Sequence, residues 1–345
     1  MSAARRTAAP VIGSALILAT AAMLSGLASP AAAQGGSPIV MKLSTATIND
    51  TQHEWMRRFV AAVEKDSSGR IKGELYPASQ LGSIPRQIEG AQFGSIQGWI
   101  GPPEFLVGVD ERYEALSAPG LIVSREQDER VLADPAVRDM MLGLGANKGL
   151  VGVGIFPLGP SSTVTRKPVR HLAEYKGLKI RVLASPFQLE MIKRIDASPV
   201  AMTLGDVLPA MQQGAIDGAL TSITVDTTLH YVDAAKFVTE IGQPWINTIA
   251  VLSKKWFEGL PADLQKIVRD DAAAVSKDIA PFVGEFFAAQ RKAWTDSGGE
   301  LISLAAAEQE AMIAKISGVA NDLSASKPEL NAAVKVVFAS AARNR

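Results

Sequence analysis

The sequence predicts an α/β protein of two lobes, each a mostly parallel sheet flanked by helices, followed by long C-terminal helices. Three observations predict it. Residues 39–100 alternate strand and helix patterns as β-α-β-α-β, which demands a parallel sheet with right-handed crossovers. A related pattern returns near residue 180: Gln92-Phe93-Gly94-Ser95-Ile96-Gln97-Gly98 is echoed by Gln212-Gln213-Gly214-Ala215-Ile216-Asp217-Gly218. The chain has 345 residues, more than one compact core accommodates.

The elements follow in order. Ile39 to Leu43 reads as a buried strand and Thr45 to Gln52 as a polar turn. His53 to Lys65 places Trp55, Phe59, Ala62 and Val63 on one helical face. Ser67-Ser68-Gly69 stops that helix, and Ile71, Gly73 and Leu75 alternate with Lys72 and Glu74 as a half-exposed strand. Ser83 caps a helix with Pro85 in its first turn, running to Phe93; Gly94 closes it, and Ser95 to Ile100 is the third strand. In the second half, Lys176 to Arg181 leads a strand, Phe187 to Ile195 a helix, and Ser198-Pro199 a link. A short helix begins at Thr203 or nearer Asp206, because Pro209 is unfavourable in a helix interior. Ile249 to Leu252 is an apolar strand. Asp263 to Phe287 is helical with a break expected at Pro281, and Glu308 to Leu323 and Leu330 to Ala342 are the last helices. The expected lobes are 34–158 with about 247–286, and 159–246 with about 287–345.

Residues 1–33 read as a cleaved signal peptide. Arg5 and Arg6 precede an uncharged apolar stretch, Val11 to Leu27, and Ala31-Ala32-Ala33 supplies small residues for cleavage. An uncleaved anchor is the competing reading; Gly13, Ser14, Ser25 and Gly26 weaken it. Export to the periplasm is therefore expected. Without Arg5 and Arg6 the balance is 33 basic against 35 acidic residues, which favours neither a nucleic-acid nor an anionic-membrane partner. The absence of cysteine removes disulfides, thiol catalysis and cysteine metal sites.

Arg181 is the candidate with the sharpest chemistry. A planar guanidinium on a strand with an apolar opposite face suits a carboxylate bidentately; a solvated strand face is the plain alternative. Four segments then resemble, in order, the solute-binding subunits of TRAP transporters of the DctP type: Ser68 to Ile71 with Leu75 to Gly82, Lys176 to Arg181, Ala197 to Val200 through Met211 to Gly218, and Leu260 to Lys266. The resemblance implies a two-lobe periplasmic binding protein fold, without catalysis or cofactor. It implies closure on a small organic acid and delivery to TRAP permease membrane subunits. Arg181 matches the family's carboxylate-gripping arginine. Thr221 stands where many members carry a ligand-holding Asn, Ser161 where sugar-acid binders carry a second arginine, and Asp206 where the family has Glu. These departures weigh against a sugar acid.

Strand ends are expected to supply the remaining contacts. They are Thr47 to Asn49 after the first strand and Gly101-Pro102-Pro103 after the third, so Asn49 and Pro102 are candidates. Trp99, Phe156 and Trp245 are candidate ring walls, with plain core packing the competing reading of each. Other chemistries fail. His53-Glu54-Trp55-Met56-Arg57 lacks the second His of a zinc-protease helix, and Gly152-Val153-Gly154-Ile155-Phe156-Pro157 lacks the last Gly of a dinucleotide loop. Asp270-Asp271 reads as a solvated helix face, and His53, His171 and His230 as surface or helix-start residues. No metal site is expected. An ABC-type binding protein and a periplasmic enzyme of organic acids remain as rivals. A monomer is favoured, since no long protruding dimerisation helix is evident.

Overall fold

The computed structural model describes residues 37–345 except Ala184, so the expected signal peptide lies outside the described residues. Two sheets organise the chain. The first contains β1 (Ile39–Ser44), β2 (Ile71–Tyr76), β3 (Gly98–Gly101) and β4 (Leu150–Pro160). The second contains β5 (Ser162–Thr165), β6 (Lys179–Val182), β7 (Ser198–Ala201), β8 (Gly218–Thr221) and β9 (Phe237–Glu240). The chain then returns to the first sheet as β10 (Trp245–Ser253) and adds β11 (Glu300–Ser303) to the second. The orders are β2-β1-β3-β10-β4 and β11-β9-β5-β8-β6-β7.

The two sheets share a plan. β1 lies between β2 and β3, parallel to both, as β6 lies between β7 and β8. The sequence echo marks the same joint in each copy. A helix ends near Phe93 or Gln212, Gly94 (φ 88°) or Gly214 (φ 72°) takes the left-handed conformation, and a strand begins at Gly98 or Gly218. β10 is antiparallel to both β3 and β4, and β5 to β8 and β9, so each sheet is mixed.

The chain passes between the sheets three times: β4 into β5 at Ser161, β9 into β10 across 241–244, and β10 to β11 through the helices of residues 254–296. The first two crossings are strand to strand. They are bonded to each other: the Ser161 N–H donates to the Pro244 carbonyl at 3.1 Å, and the Gly242 N–H to the Ser161 carbonyl at 3.0 Å. β10 is longer than its apolar segment 249–252 suggests, because pairing with β4 extends from Ser253 back to Trp245.

Apolar faces explain the helices. Helix Thr51–Asp66 buries Trp55, Met56, Phe59 and Val63; Asp50 caps it by accepting from the His53 N–H at 3.0 Å, so it starts before His53. The break expected at Pro281 occurs at Ile279, between helices Ala262–Asp278 and Ala280–Asp296. The single helix expected over 308–323 is two, Ala306–Ile316 and Val319–Ser324, interrupted at Ser317-Gly318. The helix of Pro328–Arg343 packs Leu330, Val334 and Val337 into one core with Tyr113 and Leu116.

Other expectations need correction. Ser198-Pro199 is not a link but the start of β7, an edge strand that tolerates a proline lacking an N–H. The short helix is Val207–Gln212, after a 3-10 turn at Leu204–Asp206, which puts Pro209 in its first turn. Asp271 is 8% exposed and turns inward; burial and the neighbouring Asp66 and Asp270 carboxylates push it up to about 6. Among the described residues no helix is long and apolar enough to cross a membrane.

Candidate functional site

The site follows from what the three parallel strands β7, β6 and β8 offer at their carboxyl ends. Arg181 sits on β6, in register with Val200 and Ala219. Its Nε donates to the Met202 carbonyl beyond β7 at 2.9 Å, and Nη1 reaches the Leu220 carbonyl on β8 at 3.5 Å. These contacts anchor two sides of the guanidinium. Nη2 is buried without a partner, and the side chain is 1% exposed. A buried unpaired donor is costly, so such a group marks a place for an acceptor.

The guanidinium lines a cleft to which both sheets contribute. From the first sheet side come Ala46, Thr47, Trp99, Gly101, Pro102, Phe105 and Ile246; from the second come Leu183, Thr221, Ser222 and Val225. Trp99 stands edge-on to Phe105, ring centroids 6.5 Å apart. Gly101 is required there: a Cβ on it would lie 2.4 Å from the Trp99 ring. Gln52 adds an amide, the remaining walls are aliphatic, and among the described residues Arg181 is the only charged side chain lining the cleft.

Burial lowers the Arg181 guanidinium to about 10, opposed by the nearby Tyr231 and Asp226, so it stays charged at neutral pH. Burial also raises the Asp226 carboxyl well above its usual range, against the opposing effects of Thr221, Ser162 and Arg181. Its oxygens accept from Thr221 Oγ1 at 3.2 Å and Ser162 Oγ at 3.4 Å. Burial thus favours the neutral carboxyl, which compensates the positive charge of Arg181 less, and an incoming anion can supply the balance.

The sequence candidates divide cleanly. Arg181, Thr221, Trp99 and Pro102 line this cleft. The others do not. Ser161 is buried at the crossing and faces a different hollow, with Glu240, Phe287 and Arg291. Asp206 is exposed and accepts from Thr203 Oγ1 at 2.6 Å, a local turn contact. Phe156 is core, stacked on Trp55 at 5.5 Å. Trp245 is half-buried against the Tyr113 and Leu116 core, and its neighbour Ile246 takes the cleft position. Asn49 is exposed at φ 55°, its N–H donating to His53 Nδ1 at 3.1 Å, while Thr47 reaches the cleft. Strand alternation and loop curvature decide such one- and two-residue differences.

The family described as bacterial extracellular solute-binding protein, family 7 (DctP), matches residues 44–327. The chain belongs to this family. The C4-dicarboxylate-binding periplasmic protein DctP of Rhodobacter capsulatus is 28% identical over 273 residues, 77% of this chain and 79% of its own. The uncharacterized protein YiiZ of Salmonella typhimurium is 28% identical over 207 residues, 60% of this chain and 63% of YiiZ. A TRAP periplasmic solute-binding protein from Desulfovibrio salexigens, solved with bound orotic acid, has a TM-score of 0.84 at 21% identity, covering 89% of this chain and 99% of that one. The family's two-lobe fold matches the paired sheets found here.

Several site residues escaped the sequence reading. Asp226 lies in the short helix Ile223–Thr228, and Tyr231, buried with an unpartnered hydroxyl, lies in the turn after it. Phe105 follows Pro102-Pro103 in a 3-10 turn. None belongs to a motif; the only available signal was an acidic residue five positions beyond Thr221.

Proposed function

We propose that this protein is a periplasmic receptor that closes its two lobes on a small organic acid and presents it to a TRAP-type permease. The reading includes removal of residues 1–33 as a signal peptide, action as a monomer and no catalysis of its own. The lobes would divide as 34–158 with 247–286 against 159–246 with 287–327. The last helix goes with the first lobe, because its apolar face packs against the 3-10 segment Glu111–Ser117.

One observation carries the proposal: the buried Arg181 guanidinium has an open Nη2 in an apolar cleft between two sheets. A carboxylate there gains a charge-assisted hydrogen bond away from water. Thr221, Trp99 and Pro102 are the accompanying contacts proposed. Removing the arginine costs about 2–5 kcal/mol, a loss of roughly tens- to thousands-fold in affinity. Calorimetric titration with a carboxylate panel tests this on wild type, Arg181→Ala and Arg181→Lys. Arg181→Lys should fall between the other two, because it keeps the charge and loses the planar fork. Equal affinities for all three proteins would overturn the assignment. Turnover of any bound acid would favour an enzyme.

A further inference from the structure

The polar atoms in the cleft are few enough to name the class of acid. We infer that the preferred ligand is a monocarboxylate with an apolar body, aromatic or branched, rather than a dicarboxylate or a sugar acid. This rests on the reading of Arg181 as the carboxylate anchor.

The argument is one of satisfaction. A dicarboxylate would bring a second charge into a cleft that has, among the described residues, no cation besides Arg181. An unpaired buried carboxylate is strongly disfavoured. A sugar acid would bring several hydroxyls, each needing a partner. The hydroxyls lining the cleft are largely engaged: Thr221 Oγ1 donates to Asp226 at 3.2 Å, and Ser222 Oγ lies 3.1 Å from Thr224 Oγ1. Gln52 Oε1 already accepts from Thr45 Oγ1 at 2.8 Å, which leaves its Nε2 as the one amide donor lining the cleft. The buried cleft-lining atoms left without partners are Arg181 Nη2, Trp99 Nε1 and Thr47 Oγ1. With the Gln52 amide donor, that set suits one carboxylate and one neighbouring acceptor. The rest of the wall, including Ile84, Phe105, Leu158, Leu183 and Val225, gains only from apolar atoms.

The test is titration of the purified protein with phenylacetate and 4-methyl-2-oxopentanoate, against succinate, malate and galacturonate. At least one of the first two should bind about tenfold or more tightly than the last three, in wild type but not in Arg181→Ala. Half-buried Phe105 gives a second readout. Phe105→Asn should weaken the apolar acid by about tenfold, measured at a temperature where circular dichroism shows both proteins folded, since losing the packing on Trp99 lowers the melting midpoint by a few degrees. Tighter binding of succinate, malate or galacturonate, lost in Arg181→Ala, would overturn this inference and leave the carboxylate receptor standing. Unchanged affinity in Phe105→Asn would also overturn it. Failure of every acid to bind would remove both.

Discussion

At the residue scale, Arg181 illustrates how a strand can aim a cation. Two backbone carbonyls hold it, so its charge remains available for a ligand. The nearest competitor is Asp226. Burial pushes its carboxyl upward, which favours the neutral form and weakens its quenching of Arg181. Asp226→Asn preserves that neutral state. The variant should bind the acid as tightly as wild type at pH values where Asp226 is protonated and more tightly where it ionises. Affinity measured across pH checks this; a tenfold loss over the whole range would mean that the Asp226 carboxyl itself positions Arg181 or the ligand.

At the element scale, the junction between the 3-10 segment Glu111–Ser117 and the helix Pro186–Arg194 is the informative one. The Glu114 carboxylate accepts from Ser185 Oγ at 2.5 Å and from the Phe187 N–H at 2.6 Å, satisfying a helix start from another part of the chain. Burial is the largest influence on this group and pushes it up to about 7. The native state therefore keeps a proton that the unfolded chain releases near the ordinary value of 4.5. The associated stability is present below about pH 4.5 and is lost as pH rises to about 7. Glu114→Gln keeps acceptors for both donors without this titration. Its melting midpoint should fall less between pH 5 and pH 8 than that of wild type, by a few degrees, corresponding to about 1–3 kcal/mol. Superimposable pH profiles would refute the role.

At the scale of the whole molecule, the cleft has walls from both sheets, which are joined by two strand crossings bonded to each other at Ser161 and 241–244 and by the helical passage of residues 254–296. This geometry suits a hinge, with the ligand favouring the closed state through contacts available only there. Small-angle scattering should show a smaller radius of gyration with the acid bound than without. Ligand at about one hundred times Kd should stabilise the protein by about 2.7 kcal/mol. An unchanged radius of gyration on saturation would show that the acid enters without closure.

Periodicity and punctuation in the sequence were enough to determine the first β-α-β-α-β unit, its weak echo around Gly218, the break near Pro281 and the strand bearing Arg181. These are local: a helical stripe, a left-handed glycine or a proline acts within a few residues. Only the tertiary structure decided which side chains share the cleft. Asn49, Asp206, Ser161, Phe156 and Trp245 satisfied every local criterion, yet strand alternation and the crossing geometry turned them elsewhere, while Phe105 and Asp226 arrived unannounced. The strands β5, β9 and β11 were equally silent, because antiparallel pairing and edge addition depend on partners distant in the chain. Local pattern names the elements; the packing of distant segments chooses which atoms meet.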